Sequence, residues 1–132
     1  MPVDEAQVQA VVSEVSQRMS DPSYAQTMVG AFVQSQPTVG RYLSARGPKI
    51  GGGEAVVHIA FHAEVLSDCL RRAHGRALPT IGFDDLDAAA QGDSEARFAE
   101  AEPALASYVA SNVDDAPIRL ELCRIGLALV SA

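Results

Sequence analysis

Apolar residues recur at three-and-four spacing along almost the whole chain, and no stretch shows the strict alternation of a half-buried strand. Val8, Val11, Val12, Val15 and Met19 form one stripe, which predicts a first helix from about Asp4 to Met19. Asp4 and Glu5 suit its positive end. Asp21 is the expected N-cap of a second helix and Pro22 its first residue. Tyr24, Met28, Ala31, Phe32 and Ser35 make its inward stripe. Pro37 ends that helix, because the residue before proline is pushed out of helical geometry, and opens a short third one carrying Val39, Tyr42 and Leu43.

The longest predicted helix runs from Glu54 to Ala73. Ala55, Ile59, His62, Leu66, Cys69, Leu70 and Ala73 cluster on one side, and Glu64, Ser67, Asp68 and Arg71 on the other. Gly75 supplies the left-handed residue that closes it. Residues 77–83 read as a loop with a short extended stretch, 84–91 as a short helix ended by Gly92. Asp93 and Ser94 cap the next helix, with the stripe Phe98, Ala101, Leu105, Tyr108 and Val109 and a kink or restart expected at Pro103. Asp115 and Pro117 open the last helix, which carries Ile118, Leu122, Ile125 and Leu129. Leu120 and Leu127 make a second side of it apolar.

The sum is an all-α fold: a compact helical bundle of about five main helices plus one or two short ones. A single domain over 1–132 is expected, with a Gly-rich connector at about 47–53, where Gly47, Pro48, Gly51, Gly52 and Gly53 put too many breakers together for regular structure. At 132 residues and 48% hydrophobic content the chain can bury a core of its own. No apolar run approaches the roughly 20 residues that cross a bilayer, so no membrane association is expected. The acidic start, Asp4 and Glu5, is unlike a secretory leader, which points to the cytoplasm. Cys69 and Cys123 then read as small buried hydrophobes.

A net charge of −7 argues against nucleic-acid binding, which needs basic surface to neutralise phosphates. The charge is unevenly spread: Arg41 to Arg76 holds six basic and three acidic residues, whereas Asp84 to Asp115 holds nine acidic residues and one base. Two copies, or two halves of one copy, could attract each other through these regions.

Few residues carry recognisable chemistry. Glu54, His58 and His62 lie at i, i+4 and i+8, and histidines four apart on a helix face the same side and can chelate one metal ion. The spacing is neither Glu-x-x-His nor His-Glu-x-x-His, and the bland alternative makes His62 a hydrogen-bonded core residue. The glycines before Glu54 resemble a phosphate-cradling loop only in part: Lys49 precedes them, and a carboxylate follows where a hydroxyl residue is needed. Arg71, Arg72, His74 and Arg76 form a basic cluster explained by a helix C-terminus. His62 and Cys69 are about 10 Å apart along the helix, too far for a nucleophile and its base.

The favoured expectation is a non-enzymatic interaction or adaptor module that binds a protein partner or a second copy of itself. Leu120, Leu127 and Val130 on the last helix and the Arg71/Arg72 pair are its expected contacts. No cofactor is expected. The alternative is a metal- or cofactor-binding bundle centred on Glu54, His58 and His62.

Overall fold

Helices form where apolar spacing meets a usable start and stop. The computed structural model describes residues 2–132. Among these are eight helices and no strand: α1 (Glu5–Arg18), α2 (Tyr24–Ser35), α3 (Pro37–Ile50), α4 (Gly53–His74), α5 (Phe83–Ala89), α6 (Ser94–Ala101), α7 (Pro103–Asn112) and α8 (Ala116–Ser131). None is long and apolar enough to cross a membrane.

Two helices form the spine. α4 packs against α1, α2, α3 and α8, and α8 packs against α4, α5, α6 and α7. The first three helices thus sheathe α4, and α5 to α7 sheathe α8. The core is continuous across the α4–α8 contact, with Ile59, Leu66, Leu70, Leu122 and Ile125 all fully buried. Central position explains why α4 has no solvent face at its middle. Glu64 and Ser67, placed by periodicity on a polar side, are both buried. Ser67 donates to the Ala63 carbonyl at 2.8 Å, and Glu64 accepts from Arg71 at 2.8 Å.

Eight helices stand where five main and one or two short ones are expected, and each difference has a local cause. α3 is not short but runs 14 residues, through Pro48. The connector expected at 47–53 shrinks to the positive-φ pair Gly51 (φ 123°) and Gly52 (φ 83°). Gly47 is buried at the crossing with α4, where an added Cβ would lie 3.3 Å from Val56. Close packing there outweighs the breakers. Of the kink or restart expected at Pro103, the restart is what forms, and it separates α6 from α7. Glu102 at the junction is extended (φ −140°, ψ 73°), and its buried carboxylate accepts the Val3 amide at 2.8 Å. α2 begins at Tyr24, two residues later than expected, because Asp21 folds its carboxylate onto the amide and hydroxyl of Ser23 instead of capping the helix.

Elsewhere the local chemistry is as the sequence implies. Gly75 closes α4 with φ 67°, and Asp93 and Asp115 cap α6 and α8 through Ala96 and Ile118 amides at 3.0 and 3.1 Å. The loop from 77 to 82 pairs with no strand. The buried Gln36 side chain holds it, donating to the Pro79 carbonyl at 3.0 Å and accepting from the Ile81 amide at 2.9 Å.

Candidate functional site

From Pro22 to Gly40 the chain has no charged residue, yet α2 buries only Phe32. An uncharged helix that hides so little leaves apolar surface exposed. Ala25, Val29 and Val33, four residues apart, form one ridge on α2, and Val57 and Phe61 form another on α4. Between them, closed at one end by Met19, is a cavity of about 690 Å³. A second hollow of about 480 Å³ lies among α2, α3 and α4, lined by Val33, Pro37 and Arg41. Val29 and Val57 border both. Val57 is 52% exposed, Met19 48% and Val33 41%, which accounts for three of the four exposed large hydrophobic residues. The fourth, Phe83, lies on α5.

Glu54, His58 and His62 line the first cavity. Glu54 and His62 are eight residues apart, about 12 Å along the helix, so one ion cannot span all three. Among the described residues no group of three or more His, Cys, Asp or Glu side chains is placed to hold a metal. The histidine pair is close: the two rings meet edge-on with centroids 4.6 Å apart. His58 is exposed and His62 is buried, with Nδ1 of His62 2.7 Å from the Tyr108 hydroxyl. Glu54 and His58 also border a polar hollow with Asp114 and Asp115.

Burial, and secondarily the neighbouring His58, lowers the His62 pKa from 6.5 to about 4. The folded state therefore favours neutral His62, and this contribution to stability is fully present above pH 6.5. It is lost as pH falls from 6.5 towards 4, where only the unfolded chain takes up the proton. In metal-free protein the loss is expected to reach about 3 kcal/mol. Urea unfolding at pH 7 and pH 4.5 measures it, and the difference should shrink in His62→Gln. An unchanged difference would assign the acid sensitivity to other groups.

The other sequence candidates lie apart from this face. Arg71 pairs with Glu64 and Asp68, and Arg72 with Glu14 at 2.9 Å and Asp68 at 3.1 Å. Leu127 is buried on α8, and Leu120 and Val130 are half-buried there. Cys69 and Cys123 are buried and unpaired. Burial pushes their thiols up to about 12 and about 11, so both stay protonated at neutral pH.

Sequence reasoning missed Met19, Val29, Val33 and Val57. The available signal was the 19-residue run without charge, Pro22 to Gly40. It also missed a buried ionic group between α3 and α8. Glu121 accepts from the Tyr42 hydroxyl at 2.9 Å and from Arg124 at 3.0 Å, and pairs with Arg46, tying α3 to α8. Comparison with models of protein families, with curated proteins and with solved structures finds no match for this chain.

Proposed function

We propose that this protein is a non-enzymatic, self-associating helical interaction module whose contact face is the α2–α4 surface. The observation that carries the reading is the position of Val57, a protruding apolar side chain with a hollow on either side of it. A surface holding both knobs and holes of one chemistry is self-complementary, which a two-fold interface requires.

Charge supports a second copy as the occupant. Of the charged residues lining the two hollows, Glu54 borders one and Arg41 the other, with Val29 and Val57 between them. Both are exposed, and neither has an ion-pair partner within its own chain among the described residues. In the proposed dimer a two-fold axis near Val29 and Val57 would set Glu54 of one copy opposite Arg41 of the other, twice. The central contact buries no charge, so the net −7 of each copy acts only at longer range, where salt screens it. The reading places the chain in the cytoplasm, where two unpaired thiols are ordinary.

Sedimentation equilibrium tests it. The wild type should form dimers, and Val57→Glu should raise the dimer Kd by more than about tenfold, because it places an unpaired charge in the contact. Val57 is exposed in the single chain, so the variant should fold normally. Arg41→Glu and Glu54→Arg should each weaken the dimer, and the double charge swap should restore it. A wild type that stays monomeric at high concentration, or a dimer indifferent to Val57→Glu, would sink the reading.

A further inference from the structure

The histidine pair contributes nothing to that contact that an apolar residue would not. From it we infer that His58 and His62 form a two-ligand site for a divalent late first-row metal ion at the wall of the α2–α4 cavity. The site is expected in the single chain, on the wall of the hollow that the docking reading also uses.

The geometry has three parts. The i, i+4 spacing on a continuous helix sets the imidazoles on one side, and their centroids are 4.6 Å apart. Tyr108, on α7, fixes the inner ring through Nδ1 at 2.7 Å. With the proton on Nδ1 and donated to the Tyr108 oxygen, His62 presents the lone pair of Nε2. A histidine ligand held by a second-shell partner on its other nitrogen is the common arrangement in metal sites. Third, both residues line one cavity, so the remaining coordination positions stay open to water or to an added ligand.

Donor chemistry selects the ion. Two neutral imidazoles favour copper(II), then zinc(II), over manganese(II), which prefers oxygen. Glu54 lies one turn before His58 on the same cavity wall and contributes negative charge, not a bond.

The test is titration of each metal chloride, with no other ligand, into the full chain and followed calorimetrically. Copper(II) is also followed by its electron paramagnetic resonance spectrum. One equivalent should bind, in the order copper, zinc, manganese, with hyperfine structure from two nitrogens. His58→Ala, at an exposed position, should weaken binding at least about tenfold, and Tyr108→Phe by about 10–100-fold. His74→Ala should change nothing. Arg41→Glu, which should weaken the dimer but borders the second hollow and not this cavity, should bind metal like the wild type, which separates this inference from the docking reading. Binding that survives His58→Ala, or that follows His74, would overturn it. So would His58→Ala and Tyr108→Phe giving the same titration curve as the wild type.

Discussion

Glu121→Ala is expected to destabilise the protein by about 3–5 kcal/mol. Glu121 is 1% exposed on the central helix α8, and three donors converge on it: the Tyr42 hydroxyl, Arg46 and Arg124. Removing the carboxylate strands all three. Arg46 loses least, because its side chain is 37% exposed and can turn to water. Arg124 loses most. Among the described residues its Nε has no partner, and Glu121 takes the only hydrogen bond its side chain makes. Glu121→Gln keeps the shape and the Tyr42 contact but loses the charge, so it should fall between the wild type and Glu121→Ala. Replacing Tyr42→Phe, Glu121→Leu and Arg124→Leu together should cost far less than Glu121→Ala alone, because the one donor left, Arg46, is exposed enough to turn to water. Urea midpoints at constant slope measure all three. A triple replacement as damaging as the single one would mean that the network is more than a set of satisfied partners.

Phe98→Ala is expected to cost a similar amount, about 3–5 kcal/mol, and its partner residue makes the effect diagnostic. The fully buried Phe98 ring of α6 sits directly on Gly126 of α8. A Cβ at position 126 would lie 2.7 Å from the ring, with Leu66 also close at 3.3 Å. Gly126→Ala alone should therefore destabilise by about 1–3 kcal/mol, through overpacking. This occurs even though alanine is the better helix former by about 1 kcal/mol. Once Phe98 is alanine the ring clash is gone and Leu66 has vacated space to shift into, so the propensity gain should prevail and Gly126→Ala should then stabilise. A double-mutant cycle would show this change of sign. If Gly126→Ala is equally harmful in both backgrounds, the ring is not what requires the glycine.

These two positions show what periodicity conveys and what it omits. Stripes such as Val8–Val11 and Ile59–Leu66–Leu70 gave the helices and their inward sides, since burial on one face imposes the 3.6-residue repeat. The repeat fails where a helix is covered all round. α4 buries Glu64 and Ser67, and α8 buries Glu121, because neighbours lie on every side of both. No one-dimensional pattern announces which helix will be central. Breaker residues are equally ambiguous. Gly47 and Pro48 looked like a connector but continue α3, while Pro103 starts a new helix, one of the two outcomes expected of it.

The candidate site was legible in part. Glu54, His58 and His62 were found by spacing, and all three border the cavity. Its apolar side was not found, because Val29, Val33 and Val57 look like core positions. Only their exposure in the folded chain distinguishes them, and exposure depends on which elements pack against α2.

The Gln36 side chain has one more consequence. It stands in for a neighbouring strand, filling both the donor and the acceptor role for a loop 45 residues away. The segment from 77 to 82 therefore has little cohesion of its own, and its opening is tied to the corner where α2 meets α3. The Ile81 amide is the natural reporter of that corner. Its rate of exchange with heavy water records how often the loop lets go of that corner.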